Sequence, residues 1–171
     1  SKFFPAKTMG SHVTNWNRNT SVKFRTDVCS SCKLGFDIDL KSLSADDYKF
    51  VQQAVKNYND MKPMILDGDQ YRLVSPYEGS HCAVNYVSKD KQRAVLFAYD
   101  LHPRYKEPQQ NVKLQGLNPA KVYTVKETNL MPGKTSELEC DGKQYSGDYL
   151  MKIGLSVFTP QDGTSHVLMF E

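Results

Sequence analysis

Several features that mark specialised classes of protein are scarce or absent in this sequence. Only four cysteines occur in 171 residues, too few for a fold that disulfides hold together. No apolar run approaches the roughly 18–20 residues that cross a membrane. The net charge is +3 and no cluster of like charges interrupts the chain, so the sequence lacks the basic patch of a nucleic-acid-binding protein. We therefore expect neither a membrane nor a nucleic acid as a partner.

The start of the chain also lacks a recognisable targeting segment. SKFFPAKTMG contains no long apolar stretch of the kind that signal peptides carry, and it does not begin with methionine. We expect that the natural protein extends upstream of Ser1, which leaves its compartment open. By contrast, 39% hydrophobic and 11% aromatic residues are enough to build a sizeable core.

Residues 1 to about 65 carry the patterns of two strands and two helices in alternation. KFFPAKTM predicts a short strand, SHVTNWNRN a polar loop, and LGFDIDL a second strand. Between them, a helix is predicted from Thr20 or Ser21 to a terminal glycine at Gly35. The order strand, helix, strand, helix is typical of parallel α/β units.

The second of these helices has clear start and stop signals. Ser44 and Asp47 form the pattern of a capping box at its start, and Pro63 is predicted to mark its end. Two strand-helix units are too few for an independent α/β domain. We therefore expect them to be the end of something larger.

From about Gln70 the apolar pattern changes to a period of two, which predicts strands. RAVLFAYDL is apolar on both faces and is expected to be a central strand. Asp141 and Gly142 predict a two-residue hairpin turn. Many short strands separated by turns favour an antiparallel β-sandwich over residues 66–171. The other candidate strands are QYRLV, HCAVNYVS, NVKLQGL, KVYTVKET, ELEC, KQYSG, YLMKIGLSVF and SHVLMFE.

Cys29 and Cys32 form a C-x-x-C pair, a spacing that serves elsewhere as a redox dithiol or as half of a zinc site. Both fall in the last turn of the first predicted helix, where the helix dipole disfavours a thiolate. Phe24 and Val28 lie on the same helical stripe, the usual place for small buried side chains. The remaining cysteines and histidines show no second paired spacing that zinc would require. Core packing is the favoured interpretation, with redox chemistry and metal binding as alternatives.

Three residues after the first predicted strand are candidates for substrate contact. His12 follows a strand and a Gly-Ser turn, where α/β barrels place active-site loops, although a loop histidine bonded to the backbone fits equally. Trp16 is the single tryptophan and follows Asn15. An aromatic ring beside amides suits stacking on a sugar with hydrogen bonds to its hydroxyls. A hydrophobic plug for the loop is the alternative role of Trp16.

Two further groups of residues have both functional and structural interpretations. Asp37 and Asp39 alternate along a predicted strand about 7 Å apart, near the separation of some glycosidase carboxylate pairs. The alternative is two ordinary polar positions near a strand end. Tyr71, Tyr77 and Tyr149 either form a binding platform or pack in the core, as strand tyrosines commonly do.

Four segments, FFPAKTMGSHV, LGFDIDL, DGDQYRLVSPYEG and YSGDYLMKIGL, occur in an order that covers essentially the whole chain. Together they resemble the C-terminal portion of a bacterial α-galactosidase of glycoside hydrolase family 36. The resemblance implies a mainly β fold. Residues 1–65 would be the last two strand-helix units of a (β/α)8 barrel, and residues 66–171 the antiparallel β-sandwich that follows it. The loop TNWNRN is shorter than in many members.

The resemblance also implies a function for the parent protein. That function is retaining hydrolysis of terminal α-galactosides, without cofactor or metal, by two aspartates that would both lie upstream of Ser1. No catalytic residue is expected in this chain, and Asp37 and Asp39 would be non-catalytic. His12, Asn15 and Trp16 would lie near the active-site mouth.

The expected partner is therefore an α-galactoside carbohydrate, bound through the parent protein. A homo-oligomer is left open, because isolated barrel strands have unpaired edges. A bacterial cytoplasm and a periplasm fit equally well. The alternative function is a stand-alone carbohydrate-binding β-sandwich without hydrolysis.

Overall fold

The computed structural model describes residues 4–16, 19–103, 110–159 and 161–171. The first half contains β1 (Gly10–Thr14), α1 (Val22–Ser30), β2 (Lys33–Asp37) and α2 (Ala45–Asp67). Two short 3-10 turns, Ala6–Thr8 and Leu40–Ser42, accompany them. The second half contains β3 (Asp69–Val74), β4 (His81–Val87), β5 (Ala94–Asp100), β6 (Val122–Thr128), β7 (Gln144–Ser146), α3 (Gly147–Lys152) and β8 (Thr164–Phe170).

The helix starts are where the sequence predicts them. The Ser21 side chain accepts a hydrogen bond from the backbone N–H of Phe24, and Ser44 accepts one from Asp47 in the same way. Each bond satisfies a donor that the first helical turn leaves free. The predicted alternation is also confirmed, because β1 and β2 pair in parallel across α1.

The helix ends differ from the prediction. Gly35 does not end α1, which stops at Ser30; Gly35 lies inside β2. Pro63 does not end α2, which continues to Asp67. Ile65 follows that proline and is only 2% exposed in a core shared with the sheet. Burial of this turn offsets the roughly 3 kcal/mol that proline costs a helix interior.

The first strand also lies later than predicted. Residues 6–8 of KFFPAKTM form a 3-10 turn, and β1 occupies part of the segment predicted as a polar loop. Val13 is 1% exposed, while Ser11 donates to the sulfur of Cys29 at 3.2 Å. Tertiary contacts on one side of the strand therefore stabilise a segment whose polar composition suggests a loop.

The β-rich half is built on one six-stranded antiparallel sheet, with strand order β3-β4-β5-β8-β6-β7. All seven residues of β5 are buried, which confirms the prediction of a central strand. Side chains of α2 pack on one face of the sheet. On the other face, irregular segments supply apolar residues: Val112, Leu114, Leu117, Leu155, Val157 and Phe158.

Those irregular segments replace several predicted strands. NVKLQGL and the end of YLMKIGLSVF meet only at an isolated bridge between Val112 and Leu155. The start of YLMKIGLSVF forms α3, whose first turn Ser146 caps. ELEC forms no strand, so Asp141 and Gly142 make a turn but not a β-hairpin. The mainly β fold class is confirmed, with much of the second layer lacking regular strand pairing.

A buried polar cluster, the Asp27 cluster, joins α1 to the sheet. Asp27 is fully buried, and its carboxylate lies 2.7 Å from Lys23 Nζ, 2.7 Å from Ser165 Oγ and 2.8 Å from Asn129 Nδ2. Lys23 also donates to the carbonyl of Ser165 at 2.7 Å. Burial raises the pKa of Asp27, while attraction by Lys23 and the hydrogen bonds oppose that rise. The first two strand-helix units are thus fixed to the sheet by polar as well as apolar contacts.

Candidate functional site

The parallel pair β1–β2 has one covered face and one open face. Ser11 and Val13 point towards α1, and Leu34 and Phe36 belong to the apolar clusters on the same side. Alternate residues of a strand point to opposite faces. The open face is therefore formed by Gly10, His12, Thr14, Lys33, Gly35 and Asp37, which lie opposite one another in three register pairs.

His12 lies in the middle of this open face. It is the register partner of Gly35, and its ring covers that glycine so closely that an added Cβ would be 2.6 Å from His12 Cδ2. The role of Gly35 is therefore to leave room for the imidazole ring over β2, and not to end a helix. The sequence placed His12 in a loop, whereas the structure places it on a strand, exposed on the open face.

Asn15 and Trp16 follow directly after the C-terminal end of β1. At that end Thr14 lies opposite Asp37, the last residue of β2. The carboxyl ends of parallel strands are where α/β folds place ligand-binding side chains. Trp16 is 90% exposed, so its ring does not plug the loop in this chain. The structure thus brings Asn15 and Trp16 to the same edge as Asp37, with His12 one register pair further back.

Asp37 and Asp39 do not share a strand. Asp37 ends β2 and is exposed, whereas Asp39 precedes the 3-10 turn at Leu40–Ser42 and accepts a hydrogen bond from the N–H of Lys41 at 3.0 Å. Asp39 therefore has a local capping role. Thr14, Gly35 and Asp37 become neighbours of the candidate residues only through the parallel register of β1 and β2. The alternation in SHVT, with Val13 as its apolar position, is the sequence signal that would have revealed this strand.

The cysteine pair is buried in the apolar interior. Cys29 and Cys32 are free thiols, each 6% exposed, and burial raises the pKa of both. A raised pKa lowers the thiolate fraction on which redox and metal chemistry depend. These observations agree with core packing. Across residues 4–16, 19–103, 110–159 and 161–171, no three His, Cys, Asp or Glu side chains are grouped as metal ligands.

The three tyrosines of the suggested platform do not behave alike. Tyr71 packs against the core, and Tyr149 is 42% exposed and stacks on Tyr145 with ring centroids 5.2 Å apart. Tyr77 is 87% exposed in the turn between β3 and β4. The structure therefore supports core packing for Tyr71 alone.

Comparisons with known proteins assign the chain to a family. The family model for the glycosyl hydrolase family 36 C-terminal domain matches residues 81–170, and the melibiase family model matches residues 1–68. The chain belongs to glycoside hydrolase family 36. The resemblance found in the sequence is thus confirmed, and the chain corresponds to a C-terminal piece of the family's α-galactosidases.

Relatives in this family come from bacteria and fungi. Alpha-galactosidase 1 of Pediococcus pentosaceus is 31% identical over 90% of this chain and 19% of its own length. Probable alpha-galactosidase G of Aspergillus terreus is 28% identical over 98% of this chain and 22% of its own length. The chain thus spans about a fifth of the curated relatives it matches.

Solved structures of the family share this fold. The GH36 α-galactosidase AgaB from Geobacillus stearothermophilus matches with a TM-score of 0.82 and 26% identity, over 98% of this chain and 22% of that one. A variant of AgaA from the same organism, solved with stachyose, matches with a TM-score of 0.82 and 26% identity over the same shares. A further AgaA variant was solved with raffinose. The match covers 98% of this chain, so it includes the first two strand-helix units.

Helix length and hydropathy give no sign of a membrane segment. Where the structure describes the chain, none of its helices combines the length and apolar character that a membrane crossing needs.

The close contact between the His12 ring and Gly35 allows a direct test of side-chain packing on the open face. Gly35→Ala would place a methyl group 2.6 Å from the imidazole, so we expect the ring to move and its NMR resonances to shift. Gly10→Ala is the matched control on the same face, because its Cβ would lie 4.0 Å from His12 Nε2, an ordinary contact. Equal shifts of the His12 ring resonances in both variants would contradict the described packing.

Proposed function

We propose that this chain is the C-terminal part of an α-galactosidase that hydrolyses terminal α-galactosides, and that it supplies one wall of the active-site mouth. The observation that carries the proposal is the open face of β1–β2, with His12 on it and Asn15 and Trp16 at its C-terminal end. Raffinose and stachyose in structures of relatives support an α-galactoside as the ligand.

In this proposal the chain divides at residue 65. Residues 1–65 complete the catalytic barrel, and residues 66–171 form the β-rich domain, a six-stranded sheet covered by an irregular second layer, that supports it. The fixed contact between α1 and the sheet through the Asp27 cluster suits such a supporting role. The nucleophile and the acid/base, two carboxylates about 5 Å apart in retaining glycosidases, come from the upstream part of the enzyme.

The three wall residues offer complementary contacts to a sugar. The exposed indole of Trp16 presents a flat face that can stack on the apolar side of a pyranose ring. The amide of Asn15 and the imidazole of His12 supply donors and acceptors for hydroxyl groups. None of them is required to transfer the glycosyl group, so each acts by positioning the substrate.

Substitution of Trp16 in the upstream-extended enzyme tests this role. We expect Trp16→Ala to raise KM for raffinose by about tenfold and to leave kcat nearly unchanged, because stacking binds the ground state and the transition state alike. Val122→Ala is a matched control, since Val122 is an apolar residue that is 55% exposed and lies on β6, outside the β1–β2 pair. A KM for the Trp16 variant equal to that of the control would remove Trp16 from the site.

The unpaired edges of β1 and β2 predict how the chain behaves alone. Among the described residues no second strand pairs with β1 or β2, so their outer edges can accept another strand, although Leu34 N–H donates to Tyr58 Oη and the Thr14 carbonyl accepts from Arg25. We expect the isolated chain to self-associate through these edges, with a mass that rises with concentration in light scattering. The upstream-extended enzyme is the control, because its own strands would cover the edges. A strictly monomeric chain that protects the β1–β2 amides from hydrogen exchange would contradict the expectation.

A further inference from the structure

A cavity of about 500 Å³ opens in the β-rich half, beside the turn between β3 and β4. Its size falls within the roughly 300–1,000 Å³ of typical small-molecule sites. Part of its lining is apolar, and the rest carries both hydrogen-bond donors and hydrogen-bond acceptors. Leu73 and Phe158 are among the apolar residues, and Glu78, His81, Asn111 and Lys113 are among the polar ones.

One wall of the cavity holds a fixed imidazole. His81 stacks on Phe158 with ring centroids 4.3 Å apart and planes 21° apart. Its Nδ1 lies 2.7 Å from a carboxylate oxygen of Asp100, a residue that is fully buried. The other oxygen of Asp100 accepts hydrogen bonds from Thr159 N at 2.9 Å and from Thr164 Oγ1 at 2.9 Å.

This arrangement leaves one atom of His81 for a ligand. Because the carboxylate of Asp100 can only accept, the Nδ1–H group of His81 donates to it, and Nε2 is the ring nitrogen left for a ligand. A buried carboxylate that holds an imidazole in one orientation is the arrangement that preorganises a histidine for binding. Only 14% of the His81 side chain is exposed, so the group is presented at the cavity wall and not to bulk water.

The charges around the cavity identify the class of ligand. Glu78 and Lys113 balance each other, and the remaining polar lining residues are neutral amides and hydroxyls apart from His81. An inorganic anion would favour an excess of positive charge, and a divalent cation would favour converging carboxylates. A polyhydroxyl ligand uses mixed donors and acceptors, and the apolar residues can contact its C–H face.

We propose that this cavity is a saccharide-binding site that accepts a neutral mono- or disaccharide, with His81 Nε2 forming a hydrogen bond with a sugar hydroxyl. The site is lined by residues 73–75, 78–81, 110–113, 115 and 158, and it shares none of them with the wall that contains Trp16. Its existence does not depend on the proposed role of His12, Asn15 and Trp16, and either proposal can fail alone.

The test is a backbone NMR titration of the 171-residue chain with methyl α-galactoside and sucrose, at a protein concentration where light scattering gives the mass of a monomer. Sugar concentrations up to about 50 mM would detect a Kd in the millimolar range. We expect saturable shifts at residues 78–81 and 111–115. His81→Ala should weaken binding by about tenfold, the effect of losing one good hydrogen bond. His102→Ala is the matched control, because His102 is a histidine whose side chain is 87% exposed and pairs with Asp162 instead.

A second lining variant and an anion probe complete the experiment. Asn111→Ala changes an exposed lining residue, so it should weaken binding without the effect on folding that His81→Ala can have. Inorganic phosphate serves as the anion probe. The proposal is overturned if no sugar gives saturable shifts at the cavity, if phosphate alone does so, or if neither lining variant alters the affinity. Shifts confined to Trp16 and its neighbours would also overturn it, while leaving the function proposed for the barrel wall intact.

Discussion

Replacement of Asp27 by alanine is expected to destabilise the folded chain by about 3–5 kcal/mol, the usual cost of removing one partner of a buried ion pair. Asp27 is fully buried and accepts hydrogen bonds from Lys23, Ser165 and Asn129. Without its carboxylate, the ammonium group of Lys23 loses its counter-charge in a site where its side chain is only 17% exposed. The free energy of unfolding in urea, at equal protein concentration, measures the loss.

Two variants separate this effect from a general loss of charge. Asp46→Ala removes an exposed carboxylate in the first turn of α2 and should cost less than about 1 kcal/mol. The double variant Lys23→Met/Asp27→Leu removes both charges and should recover much of the stability lost in Asp27→Ala, because no unpaired charge is left. If Asp27→Ala lowered the free energy of unfolding no more than Asp46→Ala does, the Asp27 cluster would not fix α1 to the sheet.

Elements with local signals could be predicted from the sequence. Ser21 and Ser44 mark the helix starts because the capping bond lies within four residues of chain. The central strand β5 was predictable because RAVLFAYDL is apolar on both faces, and its burial follows directly from that composition. In these elements the local preference and the tertiary environment agree.

Elements that depend on distant contacts were not predictable in the same way. The continuation of α2 past Pro63 depends on burial of its last turn against the sheet, which no local pattern shows. The segment around Val112 has the alternation of a strand but pairs only at one bridge with Leu155. Tertiary packing therefore overrides local propensity at both places.

In the candidate site, too, some features follow from the local sequence and others depend on contacts between distant residues. The sequence indicated His12, Asn15 and Trp16 by residue type and by their place after an α/β strand. The contact between His12 and Gly35, and the position of Asp37 opposite Thr14, come from the parallel register of β1 and β2. Register is set by packing over the whole element, so these neighbours required the structure.

The second large expected effect is the loss of α-galactoside hydrolysis in the isolated chain. A retaining glycosidase needs two carboxylates about 5 Å apart on either side of the scissile bond. Near the candidate site, Asp39 is engaged in capping a turn and Asp37 ends a strand, so they do not form such a pair. Enzymes accelerate reactions by at least about 10⁶-fold over the uncatalysed rate, and we expect essentially all of this to be lost in the isolated chain.

The most direct measurement is hydrolysis of a chromogenic α-galactoside by this chain and by its upstream-extended parent, side by side, with an Asp37→Asn variant of each as control. We expect an active parent, an inactive chain, and little effect of Asp37→Asn on the parent's kcat. If the 171-residue chain hydrolysed the substrate and Asp37→Asn abolished that activity, catalysis would lie at the end of β2 and not in the upstream part of the enzyme.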